Sequence, residues 1–111
     1  MSCIFCKIVA GEIPADLLAN TEEAIAFTDI NPQAPTHILI VPKEHVENVA
    51  ELAETDPNAL AALFRIAKEL ANNLNLAGYR TVFNTGAEAG QSVFHAHLHL
   101  LGGRALGWPP G

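Results

Sequence analysis

Five segments of the chain have the apolar pattern of β-strands. They are rich in β-branched and aromatic residues, or they alternate between apolar and other positions. The predicted strands cover residues 17–20, 24–29, 36–42, 79–84 and 93–101. The connections within the first pair and within the last pair are short, so both pairs are predicted to be antiparallel. The third strand is predicted to end at Pro42, because proline cannot donate a ladder hydrogen bond.

Apolar residues at helical spacing predict one long amphipathic helix. Asp56 followed by Pro57 is a strong helix start, with a capping side chain and a proline at the first helical position. Apolar residues then recur every three or four positions, polar residues occupy the other side, and Gly78 lies past the end. The apolar positions are Leu60, Leu63, Ala67, Leu70 and Leu74, and the polar ones are Arg65, Lys68, Glu69 and Asn72.

Two shorter segments also have helical features. Residues 3–10 are predicted to form a short helix, with Ser2 as its cap and Gly11 just past its end. Residues 44–49 are predicted to form one or two helical turns. Together the elements predict an α+β fold, an antiparallel five-stranded sheet with one long and one short helix on one face. The other face is then free for a functional site.

The composition fits one globular domain and narrows its partners. Half of the 111 residues are hydrophobic, which is enough for one core over residues 1–111, with 103–111 as a C-terminal tail. The formal net charge of −6 argues against binding to nucleic acid polymers or to an anionic membrane, because both are polyanions. The N-terminus lacks signal-peptide features and no apolar run is long enough to span a membrane, so a cytoplasmic location is expected.

Three of the five histidines alternate with apolar residues near the C-terminus. His95, His97 and His99 would share one face of the last strand, about 6.6–6.8 Å apart along the backbone, while Ala96 and Leu98 would point into the core. A face that needed only solubility would carry lysine, glutamate or threonine. The three imidazoles therefore indicate chemistry.

Two kinds of chemistry fit these histidines. A His-x-His pair on a strand can bind zinc with a third ligand from elsewhere. Alternatively, a neutral imidazole is a good nucleophile toward phosphorus, and a neighbouring imidazolium can hold the phosphate oxygens. The preceding loop contains Gly86, Gly90, Gln91 and Ser92, whose side chains and backbone N–H groups can contact an anion. This loop favours phosphate chemistry.

The segment QSVFHAHLHLLGGR, residues 91–104, resembles the His-φ-His-φ-His-φ-φ signature of the histidine triad (HIT) nucleotide-binding proteins. Other blocks match in the same order, among them SCIFCKIVAGEIPA, FTDINPQAPTHILIVPKEH, GYRTVFNTG and the terminal WPPG. The resemblance covers nearly the whole chain and is to the Hint branch, the purine nucleoside phosphoramidases. Departures are minor, such as Phe94 before the triad.

The resemblance implies a homodimer that binds purine nucleoside monophosphates. It implies hydrolysis of the P–N bond of nucleoside phosphoramidates and of aminoacyl adenylates, with release of AMP or GMP and no metal needed for catalysis. His97 is then the nucleophile and forms a nucleotidyl-histidine intermediate that water hydrolyses. The backbone carbonyl of His95 would hold the His97 ring in its reactive tautomer, and His99 and His37 would assist at the phosphate.

The resemblance also implies the residues that bind the nucleotide. Ser92 and Asn84 are expected at the phosphate oxygens or the leaving group, and Asp29 at the ribose hydroxyls. Taken alone, Asp29 is equally well explained as the cap of the Asn31-Pro32 turn. For Asn84, a turn-forming role is the alternative, and the functional role is favoured over it. The full set of nucleotide-binding residues is Phe5, Phe27, Asp29, Ile30, Asn84, Gln91, Ser92, His97 and His99, of which Phe5, Phe27 and Ile30 line the base pocket.

Cys3 and Cys6 would share one face of the N-terminal helix and make half of a zinc site. The resemblance to several bacterial relatives implies that His45 and His95 complete a structural zinc centre. Two reduced cysteines packed under the sheet are the alternative. A disulfide is not expected in a chain without an export signal.

Two other functions stay open at the level of the sequence. A non-catalytic nucleotide-binding or zinc-binding adaptor would bind without turnover. A dinucleoside polyphosphate hydrolase of the same superfamily is the second, although some of those branches replace the last histidine with glutamine, whereas this chain keeps His99. The resemblance places the C-terminal tail, with Trp108, near the partner subunit's site.

Overall fold

The computed structural model describes residues 3–111. Its strands are β1 (Leu17–Asn20), β2 (Ala24–Thr28), β3 (Thr36–Pro42), β4 (Tyr79–Val82) and β5 (Leu98–Gly102). Its α-helices are α1 (Ile4–Val9), α2 (Val49–Thr55) and α3 (Pro57–Asn73), and Ala87–Ala89 form a 3-10 turn. Within residues 3–111, no helix has both the length and the apolar character needed to cross a membrane.

The five strands form one antiparallel sheet in the order β1-β2-β3-β5-β4. The predicted pairs β1–β2 and β4–β5 are both present. Strands β2 and β4 end at Thr28 and Val82, slightly earlier than predicted. In the centre, β3 pairs with β5, with Ile40 opposite Leu98. The predicted α+β fold with a five-stranded antiparallel sheet is confirmed.

The last strand begins later than the apolar alternation predicted, and this difference shapes the site. The prediction was 93–101, but β5 begins at Leu98. The β3–β5 register would place Ala96 opposite Pro42, which ends β3 and has no N–H to donate. The N–H of Ala96 instead donates to the carbonyl of Val46, at 2.7 Å. Residues 95–97 therefore lie against the loop that follows β3.

The larger core lies between the sheet and the helices α2 and α3. As predicted, Ala96 and Leu98 point into it and are buried, and Leu100, two residues further along the same face, is buried there too. Helix α3 begins at Pro57 as predicted, and Asp56 caps it. The prediction named mostly leucines on its buried face, whereas most of the buried residues are alanines. Because alanine is small, the helix can approach the sheet closely. The buried residues of α3 are Ala59, Ala62, Leu63, Ile66, Ala67 and Ala71, whereas Leu74 lies past the helix and is 49% exposed.

The prediction that the helices occupy one face of the sheet is wrong. Helix α1 packs on the opposite face, where Phe5 is buried in a second cluster with Ile25, Phe27, Leu39 and Val41. Strands β2 and β3 are therefore covered on both sides, which explains their nearly continuous burial. The second face is not free, and α1 forms part of the functional site.

The prediction of helical turns at 44–49 is also wrong. Those residues are mostly loop, and α2 begins at Val49. Asn48 caps α2, since its side-chain oxygen accepts from the N–H of Glu51 at 2.9 Å. The predicted cap of α1, Ser2, lies outside the described residues. Within them, Cys3 caps α1, and the N–H of Cys6 lies 3.4 Å from its sulfur.

Candidate functional site

The three histidines project from the sheet face opposite α3. His95 is fully buried and His97 is 8% exposed. The His97 and His99 ring centroids lie 4.9 Å apart. Phe5 of α1 packs edge-on against the His97 ring, with centroids 5.0 Å apart. The alternating sequence therefore brings the imidazoles together on the α1 face, even though His95 and His97 lie outside β5.

One backbone hydrogen bond determines the tautomer of His97. Its Nδ1 lies 2.8 Å from the backbone carbonyl of His95. Because a carbonyl only accepts, Nδ1 must carry the proton. In the neutral ring, the lone pair is then on Nε2. His97 lines the cavity next to α1, so an unprotonated ring nitrogen is available to a bound ligand.

A chain of hydrogen bonds sets the tautomer of His99 in the same way. The N–H of Gln33 donates to Nδ1 of His37 at 3.0 Å, so the proton of the neutral His37 ring is on Nε2. That Nε2 lies 2.9 Å from Nδ1 of His99 and donates to it. His99 therefore carries its proton on Nε2. Among the described residues, this buried nitrogen has no hydrogen-bond partner.

Burial keeps His37 and His99 neutral. The pKa of His99 is lowered from 6.5 to about 4, first by desolvation and then by the neighbouring His97 and His37, while the charge of Asp29 opposes them. Desolvation also lowers the pKa of His37, against the opposing charge of Asp29. Near neutral pH the two rings are thus hydrogen-bond donors and acceptors rather than cations.

Asp29 performs two structural tasks with its two carboxylate oxygens. Its Oδ1 accepts from the N–H of Asn31 at 2.8 Å, which caps the Asn31-Pro32 turn. Its Oδ2 lies 3.4 Å from Nε2 of His37. The capping role weighed from the sequence is therefore present, and the second oxygen faces the histidines.

A cavity of about 320 Å³ lies between α1, the sheet and the histidines. It brings together most of the predicted nucleotide-binding residues, with an apolar wall on the α1 side and His97 and His99 at its polar end. The predicted residues that line it are Phe5, Phe27, Asp29, Ile30, Ser92, His97 and His99. Ile4, Ile8, Leu39 and Val93 also line it and were missed by the sequence interpretation.

Two of the predicted nucleotide-binding residues do not line this cavity. The amide of Gln91 is used within the protein, since its oxygen accepts from the N–H of Gly86 at 2.9 Å and its nitrogen donates to the carbonyls of Glu47 (2.8 Å) and Val93 (3.1 Å). Both amide hydrogens are occupied, so Gln91 holds the loop instead of offering a donor to a phosphate. Asn84 is partly exposed and is not among the lining residues.

Larger clefts exist elsewhere on the protein. The histidine cavity is the candidate site because of the side chains that line it and not because of its volume. One of about 740 Å³ lies along residues 74–80 and 103–106, and its charged lining side chains are Arg80 and Arg104. Another of about 370 Å³ lies near the start of α3, and its lining includes four acidic residues and one lysine. Neither contains a histidine.

The four predicted metal ligands come together beside the cavity. The ligand atoms of Cys3, Cys6, His45 and His95 all lie within 4.8 Å of one another. Nδ1 of His95 is 3.4 Å from Cys3 Sγ and 3.6 Å from Cys6 Sγ, and Nδ1 of His45 is 3.3 Å from Cys6 Sγ. In a tetrahedral zinc site, sulfur and nitrogen ligands lie about 3.5 Å apart. The cluster therefore fits a structural zinc ion.

The protonation of His95 also suits a metal. Its Nε2 lies 2.8 Å from the carbonyl of Pro42 and must donate to it, which leaves the lone pair of the neutral ring on Nδ1, facing the sulfurs. Both cysteines are free thiols. Partial burial raises the pKa of the Cys6 thiol, and Cys3 raises it further, whereas a bound cation would favour the thiolate.

The comparisons with known proteins agree with this geometry. The family model described as the HIT domain matches residues 10–106. The 14 kDa zinc-binding protein of Zea mays is 48% identical over 111 residues, covering 97% of this chain and 87% of that protein.

Two solved structures of similar proteins have the same fold. A HIT family hydrolase from Legionella pneumophila is 49% identical, with a TM-score of 0.94 over 99% of this chain and 100% of that one. A histidine triad nucleotide-binding protein from Candida albicans is 36% identical, with a TM-score of 0.84 over 97% of this chain and 83% of that one. The chain belongs to the HIT domain family.

Proposed function

We propose that this protein is a purine nucleoside phosphoramidase, a hydrolase that cleaves the P–N bond of nucleoside phosphoramidates or aminoacyl adenylates and releases AMP or GMP. Membership of the HIT family and the similar HIT family hydrolases support a hydrolase. The observation that carries the proposal is the 2.8 Å bond from Nδ1 of His97 to the carbonyl of His95. It leaves Nε2 of a neutral imidazole free beside the cavity.

In the first step, Nε2 of His97 attacks the α-phosphorus. A bond forms between Nε2 and phosphorus, and the bond between phosphorus and the amine nitrogen breaks. The amine leaves with the electron pair of that bond and takes up a proton, which the exposed hydroxyl of Ser92 can relay from water. His97 now carries phosphorus on Nε2 and a proton on Nδ1. The carbonyl of His95 stabilises the resulting positive charge.

In the second step, water attacks the phosphorus and the bond to Nε2 breaks, with its electron pair returning to the ring. The nucleoside monophosphate keeps the hydroxyl, the other proton of the water passes to solvent, and the neutral His97 ring is restored. Over residues 3–111, the Nε2–H of His99 is buried without a partner, and a phosphoryl oxygen would satisfy it in both steps. His37 orients that donor through its bond to Nδ1 of His99. Splitting the reaction through a covalent intermediate replaces one difficult step by two easier ones.

The rest of the cavity suits a nucleoside. Phe5, Phe27 and the rim residue Ile30 offer apolar surface to a purine. The carboxylate of Asp29 can accept from the ribose hydroxyls through the oxygen that faces His37. Ser92 is the proposed contact to the phosphate or the leaving group. Asn84 does not line the cavity, so its proposed contact to the leaving group requires its loop to move towards the bound ligand.

We also propose that the protein is a homodimer. Strand β4 is at one end of the sheet, and its Tyr79 is 45% exposed. Phe64 on α3 is 44% exposed. An open sheet edge next to exposed aromatic residues favours pairing with a second copy.

A non-catalytic zinc-binding adaptor is the second candidate, and the Cys/His cluster is the observation that favours it. Hydrolysis of an adenosine 5′-phosphoramidate that releases a fluorescent amine separates the two. We expect turnover by the native protein, and a loss of about 10³-fold or more in His97→Ala with AMP still bound. Glu54→Ala, an exposed change on α2, is the matched control and should keep native turnover. Binding of AMP without turnover by the native protein would favour the adaptor instead.

A further inference from the structure

His95 connects the metal cluster to the proposed nucleophile. Its ring nitrogen Nδ1 faces the sulfurs of Cys3 and Cys6, and its Nε2 donates to the carbonyl of Pro42. The backbone carbonyl of the same residue accepts the hydrogen bond that sets the tautomer of His97. A ligand that holds the His95 ring therefore also holds the group that determines which nitrogen of His97 is free.

Helix α1 makes a second connection between the cluster and the cavity. The helix contains Cys6 and is capped by Cys3, while its Ile4, Phe5 and Ile8 line the cavity. The Phe5 ring packs edge-on against the rings of both His97 and His95, with centroids 5.0 and 5.9 Å apart. A six-residue helix is too short to be stable alone. Its position therefore depends on its contacts with the sheet and on its two cysteines.

We propose that Cys3, Cys6 and His45 are positioning residues for the nucleotide site. By holding a thiophilic divalent cation such as zinc together with His95, they keep α1 docked on the sheet and the His95 carbonyl aligned with His97. This inference rests on the proposed nucleotide-binding function of the cavity. Loss of the cluster would then weaken nucleotide binding, whereas loss of a purely structural centre would lower only the stability of the fold.

The expected effect follows from the docked fraction of α1. Helix α1 forms the apolar wall of the cavity, so a nucleotide that contacts this wall binds only molecules in which α1 is docked. Its apparent affinity therefore falls in proportion to the fraction of molecules with α1 docked. If removal of the cation reduces the docked fraction to a tenth, the affinity for AMP falls about tenfold. Undocking also exposes the amides of α1 and lets the His97 ring exchange between its two tautomers.

The first test measures AMP affinity by calorimetry. The samples are the zinc-loaded protein, the chelated protein, the chelated protein with zinc added back, and His45→Ala. His45 is exposed and does not line the cavity, so its loss affects the nucleotide only through the cluster. We expect about tenfold weaker binding after chelation, recovery with zinc, and weak binding in His45→Ala that zinc does not restore.

Leu63→Ala is the control for a purely structural role. Leu63 is fully buried in the core on the opposite side of the sheet, so its loss lowers stability without touching α1 or the histidines. At a matched fall in melting temperature, Leu63→Ala should keep native AMP affinity. If His45→Ala and the chelated protein also keep it, the cluster only stabilises the fold and the inference is overturned.

The second test uses no nucleotide, so it separates this inference from the proposed function. The ¹⁵N spectrum of the His97 ring reports its tautomer, and hydrogen exchange reports the docking of α1. We expect one Nδ1–H tautomer and protected α1 amides with zinc, and a tautomer mixture with faster exchange without it. Unchanged spectra and exchange, or failure to take up zinc stoichiometrically, would overturn the inference. Absence of AMP binding by the zinc-loaded protein would instead overturn the nucleotide site.

Discussion

Replacing His37 with leucine should disconnect the hydrogen-bond chain that orients His99. The chain runs from the N–H of Gln33 to Nδ1 of His37 (3.0 Å), and from Nε2 of His37 to Nδ1 of His99 (2.9 Å). Leucine is apolar and can neither accept nor donate. The His99 ring would then be free to place its proton on Nδ1, which would leave a lone pair rather than a donor on Nε2.

The magnitudes follow from the bonds that are lost. Removing one oriented donor from the developing charge of a transition state costs about 10²–10³ in kcat. The substitution also removes two hydrogen bonds, each with a net contribution of about 0.5–1.5 kcal/mol, so the free energy of unfolding should fall by roughly 1–3 kcal/mol. That loss corresponds to a fall of roughly 4–12 °C in melting temperature for a domain of this size.

The assay compares kcat, AMP affinity and melting temperature for His37→Leu and His37→Gln. The amide nitrogen of glutamine can occupy the position of the imidazole Nε2, so His37→Gln restores the donor to His99 and should recover most of the lost turnover. AMP affinity should change less than kcat in both variants, because the donor acts mainly on the transition state. Leu63→Ala, equally or more destabilised, should keep native kcat.

Two results would refute this reasoning. A loss of less than about tenfold in kcat for His37→Leu, under 1.4 kcal/mol of activation free energy, would mean that His99 needs no orienting partner. Equal inactivity of His37→Gln and His37→Leu would mean that the imidazole of His37 has a role beyond that of a donor.

Three further outcomes are expected. Because burial lowers the pKa of His99 to about 4, the unfolded chain binds a proton at this residue at a pH where the folded protein does not. The contribution of neutral His99 to the free energy of unfolding should be fully present above about pH 6.5 and should fall towards pH 4. Melting curves of the chelated native protein and of His99→Gln should show a weaker pH dependence in the variant. Gly103 and Gly86 both have positive φ (88° and 89°), but only at Gly103 would an added Cβ lie 2.9 Å from Pro35. Gly103→Ala should therefore lower the melting temperature more than Gly86→Ala, and equal losses would contradict this. Light scattering should give about twice 11.8 kDa for the native protein and a lower mass for Tyr79→Glu, whereas a native monomer at micromolar concentration would contradict the proposed dimer.

The sheet could be predicted from the sequence because its signals are local. Strand β1 and strand β3 have the predicted bounds, and Asp56-Pro57 marks the start of α3. The start of β5 could not be predicted, because it depends on the partner strand. The alternation of His95 to Leu100 continues on both sides of Leu98, and only the register shows that Pro42 lies opposite Ala96.

The site could be predicted less completely, for a related reason. Resemblance identified the seven predicted residues that line the cavity, but Ile4 and Ile8 were missed although they flank Phe5 at helical spacing on α1. That spacing would have shown them only if α1 were known to cover the second face of the sheet. Gln91 was assigned to the phosphate because amides often bind anions, whereas its amide is used within the protein by two nearby residues, Gly86 and Val93, and by Glu47, which is distant in sequence.

The three alternating histidines, His95, His97 and His99, are chemically identical residues in three different hydrogen-bonding environments. The carbonyl of Pro42 places the proton of His95 on Nε2 and turns Nδ1 toward the cysteines. The carbonyl of His95 places the proton of His97 on Nδ1 and leaves Nε2 as the proposed nucleophile. The Nε2–H of His37 places the proton of His99 on Nε2 and makes it the proposed donor to the phosphoryl group. Each role depends on one hydrogen bond outside the ring itself, so the spacing of the histidines alone could not distinguish a metal ligand from a nucleophile. Of the three, only His95 belongs to the Cys/His cluster, so the His-x-His metal pair weighed from the sequence is not formed there.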